Sequence, residues 1–141
     1  MVNNSNVATG GLSGTTGLYL LGLDSTTNTI CYNITLHNFG GEYSSPARTA
    51  THLHEARVGM AGPPRIAFPN PIDVPGMEGV KRSVGCLMGP FTTGLNGTGA
   101  NAGVDTGSGF HVSAIEKDPA GFFVDVHSSL AVPGAVRGQV A

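Results

Sequence analysis

Thr29-Ile30-Cys31-Tyr32-Asn33-Ile34-Thr35-Leu36-His37 sets Ile30, Tyr32, Ile34 and Leu36 alternately against Cys31, Asn33, Thr35 and His37. A β-strand turns successive side chains to opposite faces, so the first set points into a core and the second outward. The preceding Gly17-Leu18-Tyr19-Leu20-Leu21-Gly22-Leu23 reads as a strand, and Asp24-Ser25-Thr26-Thr27-Asn28 as the turn between them, which makes a hairpin.

Three further stretches obey the same period of two. In Ala50-Thr51-His52-Leu53-His54-Glu55-Ala56 the two histidines share one face and Leu53 takes the other. In Gly121-Phe122-Phe123-Val124-Asp125-Val126-His127 an apolar face of Phe122, Val124 and Val126 opposes Phe123, Asp125 and His127. Ala135-Val136-Arg137-Gly138-Gln139-Val140 buries Val136 and Val140 and turns Arg137 and Gln139 outward. If these three strands are neighbours, one outer wall carries His52, His54, Asp125, His127, Arg137 and Gln139. That polar wall is the candidate site.

The rest of the chain is consistent with β-structure. Gly62-Pro63-Pro64-Arg65-Ile66-Ala67-Phe68-Pro69-Asn70-Pro71 is confined by its prolines to an edge or an extended loop, with a short strand at 65–68. A short strand over 81–87 carries Cys86, and the Gly-rich stretch 94–109 reads as a surface loop. His111 to Lys117 predicts one or two helical turns, ended by Asp118-Pro119. Many short strands with turn signals and scarcely any helix predict an all-β, single-domain antiparallel sandwich or barrel, Greek-key or immunoglobulin-like, with long Pro- and Gly-rich loops. Residues 1–14 are expected to be a flexible lead-in and 15–141 the β-domain.

The length of 141 residues suits one domain with a real core. Charged residues are 11% of the chain and the net charge is −2, so there is no electrostatic footprint for nucleic acid. No apolar run approaches the roughly 18 residues of a membrane span. Gly97-x-Gly99 lacks the spacing of a dinucleotide fingerprint, which leaves no call for a nucleotide or organic cofactor. Hydrolase chemistry finds no Gly-x-Ser-x-Gly elbow, and no paired carboxylates stand out among nine scattered acids. Nothing names a substrate or an electron acceptor.

Cys31 and Cys86 are compatible with one disulfide, which would contribute about 4 kcal/mol in the chain-entropy account, or with two buried thiols. Asn3-Asn4-Ser5, Asn33-Ile34-Thr35 and Asn96-Gly97-Thr98 are glycosylation sequons, and the outward set of the first strand places Asn33 within reach of a glycan, as the loop does Asn96. Low charge, paired cysteines and sequons together predict a secreted or cell-surface protein. The polar N-terminus reads as that of a mature domain whose signal peptide has been removed.

Imidazole is the commonest protein metal ligand and suits copper and zinc. His52, His54 and His127 would supply three nitrogens from two rigid strands to a surface site, with copper favoured and zinc possible, for metal binding or redox chemistry. Asp125 would serve as a fourth ligand or orient a ring from outside, and Arg137 and Gln139 complete the surroundings. The alternative is a non-catalytic extracellular module that binds a protein or small ligand, with the histidines forming a polar network and no metal.

Several stretches taken together resemble a known family. Thr-Ile-Cys-Tyr-Asn-Ile-Thr (29–35), Thr-His-Leu-His (51–54), Gly-Pro-Pro (62–64), Ala-Ile-Glu-Lys-Asp-Pro-Ala-Gly (114–121), Phe-Phe-Val-Asp-Val-His (122–127) and Pro-Gly-Ala-Val-Arg-Gly-Gln-Val (133–140) are similar to the CHRD domain. That module is named for its repeats in chordin and also occurs in bacterial and fungal extracellular proteins. The resemblance implies a secreted β-sandwich. Chordin's antagonism of bone morphogenetic proteins is not implied, because the family's own activity is poorly defined. The Pro-rich stretch 63–75 and the loop 94–109 look longer than the family pattern.

Overall fold

A computed structural model describes residues 1–141. Its strands are β1 (Thr16–Asp24), β2 (Thr29–His37), β3 (Thr51–Glu55), β4 (Pro64–Phe68), β5 (Ile72–Asp73), β6 (Val80–Met88), β7 (Phe122–Ser128) and β8 (Ala131–Gln139). The single α-helix is α1 (Ser113–Lys117), followed by a 3-10 turn at Pro119–Gly121. Two antiparallel four-stranded sheets form, ordered β1-β2-β6-β5 and β4-β3-β7-β8. This is the all-β sandwich that the alternation predicts.

The β1–β2 hairpin closes with Asp24 opposite Thr29, and Asn28 adopts φ 52°, a left-handed turn conformation that asparagine tolerates. The inward residues of β2 are buried as the period requires, with Ile30, Ile34 and Leu36 fully enclosed. Facing them from the second sheet are Leu53, Ile66, Phe68, Phe122, Val124 and Val126, and Val112 and Ile115 of the helical segment complete the cluster. Each such side chain removed from water contributes roughly 1.5–3 kcal/mol, so this interface dominates the energetics.

The prolines act where expected: β4 is an edge strand, and a register shift between Leu53 and His54 marks a bulge beside Pro64. The 94–109 loop lies at the surface and carries internal order. The Asp105 carboxylate accepts the main-chain N–H groups of Thr93, Gly94 and Gly107 and the Thr93 hydroxyl. Residues near the N-terminus reach the second sheet, where the Leu12 N–H donates to the Ala135 carbonyl of β8.

The strand adjacency that brings the polar wall together is present. β3 pairs with β7 and β7 with β8, so His52, Asp125 and Arg137 form one cross-strand row, and His54, Phe123 and Gln139 the next.

Candidate metal centre

The period of two places His52 and His54 on one face of β3, and the β3–β7 register sets Asp125 directly across from His52. His127 lies two residues along β7 on the same face. One His ring atom from each of the three histidines and one Asp125 oxygen all lie within 4.8 Å of one another. Asp125 Oδ1 is 3.6 Å from His52 Nδ1 and 3.2 Å from His54 Nε2, while Oδ2 is 3.2 Å from His127 Nε2.

The expected surface cluster is in fact an interior one. His52 is 1% exposed, Asp125 2% and His54 8%, and the His127 side chain, at 18%, is the most exposed of the four. The segment 56–63, which joins β3 to β4, reaches across to β8 on this face and contributes the carbonyl that meets His54. Arg137 donates to the Met60 and Arg57 carbonyls, and Gln139 to those of Ala56 and Ala120. Arg57 forms a bidentate pair with Asp118, and the Asn6 side chain accepts from the Ala61 N–H. Arg137 and Gln139 thus occupy the predicted wall but clasp this strap. Asp125 takes its ion-pair partners from the histidines alone.

The strap also fixes a ring. His54 Nδ1 lies 2.8 Å from the Gly62 carbonyl, and His52 Nε2 lies 2.7 Å from the Thr49 carbonyl. A carbonyl only accepts, so the proton sits on His54 Nδ1 and on His52 Nε2. In the neutral tautomers the opposite nitrogens, His52 Nδ1 and His54 Nε2, are lone pairs aimed at a carboxylate. Those two atoms and Asp125 Oδ1 are buried without a hydrogen-bond partner. Such orphaned atoms in one spot are costly, because each loses its water without compensation.

Packing holds the rings in place. Phe123 stacks on His54 with centroids 4.7 Å apart and planes at 7°, and the Arg137 guanidinium lies 3.4 Å above the Phe123 ring. From the other sheet the Tyr19 hydroxyl donates to the Asp125 carbonyl across the core at 3.0 Å. Burial alone would raise the Asp125 carboxyl, but the imidazoles crowded around it, with His127 against Oδ2, hold it well below the usual range. Burial likewise opposes protonation of His127, yet the Asp125 carboxylate, aided by the Val132 main chain, raises it.

The donor set tests well against a metal ion. Tetrahedral bonds of 2.0–2.1 Å put neighbouring ligand atoms about 3.3 Å apart; the Asp125–histidine separations of 3.2–3.6 Å are near that value, and the whole donor set lies within 4.8 Å. Each of His52 and His54 gives its second N–H to a main-chain carbonyl, the arrangement that orients metal-ligating imidazoles. The carbonyls of Thr49 and Gly62 carry no side-chain signal and were not read from the sequence. The strap's one hint is Gly62 itself, where a Cβ would meet the Glu55 carbonyl oxygen, so that only glycine allows the close approach. His37 and His111 stand apart and exposed.

Fold and site together define a β-sandwich module with a buried three-histidine, one-aspartate cluster able to hold a metal ion. The profile of the CHRD domain matches residues 2–140, nearly the whole length, and the chain belongs to the CHRD domain family. No curated protein and no solved structure matches it. CHRD domains are extracellular-type modules, and a Cys31–Cys86 disulfide joining β2 to β6 agrees with that class.

Proposed function

We propose that this chain is a secreted metal-binding module in which His52, His54, His127 and Asp125 hold one divalent transition ion. One observation carries the reading: two imidazole lone pairs and a carboxylate oxygen converge, buried, with no donor between them. A single cation would satisfy all three at once, whereas one shared proton would satisfy only one gap. The N3O set suits Zn(II) and Cu(II) alike, and at equal availability Cu(II) binds more tightly by the Irving–Williams order. Copper would supply one-electron redox chemistry and zinc none. Four protein ligands fill a tetrahedral ion, which supports holding or delivering the metal above activating a water.

A second reading keeps the fold and discards the metal. It is favoured by the Asp125–His127 ion pair, which by itself supplies a charge partner for the carboxylate. The module would then bind an extracellular protein or small ligand through its loops.

Calorimetric titration of metal-stripped protein with Cu(II) and with Zn(II) separates the two. Uptake of one ion per chain at a Kd of about 1 μM or tighter, worth about 8 kcal/mol, is expected. Loss of that uptake in both His52→Ala and His127→Ala is expected with it. Absence of uptake, or uptake indifferent to these substitutions, would leave the second reading standing.

A further inference from the structure

The outer face of the first sheet carries exposed aliphatic side chains on either side of a polar row that includes Asn33, Thr35 and Arg82. Leu18 and Leu20 of β1, Val84 and Met88 of β6 and Ile72 of β5 are between 56% and 73% exposed. Isolated apolar residues are ordinary on a surface, but five on one sheet face, around a single asparagine, leave aliphatic surface that a cover would remove from water. In the middle of it stands Asn33, paired on one side with Leu20 and on the other with Val84. The disulfide Cys31–Cys86 lies two residues along the same face.

Asn33-Ile34-Thr35 is a sequon, and the alternation that buries Ile34 turns Asn33 and Thr35 together to this outer face. Asn33 is half-exposed, its Oδ1 is buried without a partner, and no hydrogen bond engages Nδ2, the atom to which sugar is attached. Thr35 remains on the surface, where its hydroxyl accepts from Arg82.

We propose that Asn33 carries an N-linked glycan whose first sugars lie over Leu20 and Val84 and cover this face. The donor is a polyprenyl-pyrophosphate-linked oligosaccharide. A bond forms between Asn33 Nδ2 and the anomeric carbon, the bond from that carbon to the pyrophosphate oxygen breaks, the lipid pyrophosphate leaves and Nδ2 loses one proton. No oxidant or reductant is needed. The C–H faces of the sugars meet the aliphatic side chains, while their hydroxyls face water. This inference rests on the secreted part of the proposed function and is independent of the metal.

The other sequons serve as internal controls. Asn96, exposed on the Gly-rich loop, reports whether the chain met the glycosylation machinery. Asn3 uses its Oδ1 to accept the Ser5 and Val7 N–H groups.

The full chain, secreted from a eukaryotic host, is mapped by peptide mass spectrometry before and after enzymatic removal of N-glycans. A glycan on the Asn33 peptide, lost in Asn33→Gln and in Thr35→Ala but kept in Thr35→Ser, is expected. Thr35→Ala leaves Asn33 in place, so the result does not hang on one variant's folding. Deglycosylation of the folded protein should then raise binding of an apolar dye several-fold and produce concentration-dependent self-association in sedimentation. A secreted protein with an unmodified Asn33 overturns the proposal. If Asn96 is modified in that sample, secretion stands and only the Asn33 site fails. A glycan at Asn33 whose removal alters neither dye binding nor association overturns the covering role. A dimer formed through the bare face with Asn33 unmodified would assign that face to a second copy instead.

Discussion

Asp125 is a buried carboxylate that three imidazoles surround, and its charge dictates which way their lone pairs and protons face. Replacing it by asparagine keeps the shape and changes the chemistry in two opposite ways. The new amide nitrogen offers N–H donors to His52 Nδ1 and His54 Nε2, which have none, and the remaining oxygen still accepts from His127. Metal-free Asp125→Asn should therefore lie within about 1 kcal/mol of the metal-free wild type, because a satisfied polar group replaces an unsatisfied one. Its metal affinity should fall by more than the roughly 10–100-fold that loss of an outer partner costs. Urea unfolding of the stripped proteins and competition with a chromophoric chelator measure the two sides. A large destabilisation without metal would show that the anion, and not the geometry, holds the cluster together. The four cluster residues were legible in the sequence because a period of two and a cross-strand register act on residue type and spacing alone. Thr49 and Gly62 were not, since they contribute carbonyls that every residue possesses.

The strap 56–63, which reaches across this face to β8 and meets His54, is what sequence alternation could not reveal. A strand pattern states which side chains share a side, not whether a distant segment returns to cover them. Arg137 is the strap's principal clasp, bound to two of its carbonyls and stacked on the Phe123 that packs His54. Arg137→Ala touches no candidate ligand, yet it should loosen the Gly62 carbonyl from His54 and weaken metal binding by roughly tenfold, as loss of an outer partner does. Chelator competition reads the affinity, and the nitrogen shifts of His54 read its tautomer; an unchanged tautomer and affinity would reduce the strap to a passive cover. The Gly-rich loop is organised differently, around one carboxylate. Burial tends to raise Asp105, but the N–H groups of Thr93, Gly107 and Gly94 and the Thr93 hydroxyl outweigh it and lower its pKa. A lowered carboxyl contributes stability above its unfolded value, about 3.9, and loses it as pH falls through the lower folded value. The loop should hold its shape down to about pH 4 and open below that. Amide exchange at Thr93, Gly94 and Gly107 should accelerate there ahead of exchange in β2, and Asp105→Asn should erase that acid step. The prolines of 63–71 signal an edge or a loop because a missing N–H is a local property, whereas Asp105's reach depends on a loop closing on itself.

The disulfide and the histidine cluster lie on opposite layers of the sandwich. The disulfide ties β2 to β6 in the first sheet, across 55 residues of sequence, and a loop of that length gives about 4 kcal/mol in the chain-entropy account. The histidine cluster belongs to β3 and β7 of the second sheet, and an ion bound there at a hundredfold excess over its Kd would add about 2.7 kcal/mol by mass action. The sheets meet through the apolar core, so the two devices share no hydrogen-bond partner. Contributions from sites without shared partners add to within about 0.5 kcal/mol. A cycle of four samples tests this: the native disulfide or Cys31→Ala with Cys86→Ala, each with saturating metal or with chelator. Together the devices amount to about 7 kcal/mol against a total of roughly 5–15 kcal/mol for a domain. Each single loss should therefore lower stability by its own amount, and both together by about their sum of 7 kcal/mol. In the disulfide-intact pair, removing the metal should lower Tm by about 9 °C, taking an unfolding entropy of about 2.1 cal/mol/K per residue. A coupling well above 0.5 kcal/mol would mean that tension in one sheet is felt at the other, with Tyr19, which reaches from β1 to the Asp125 carbonyl, as the contact to remove next.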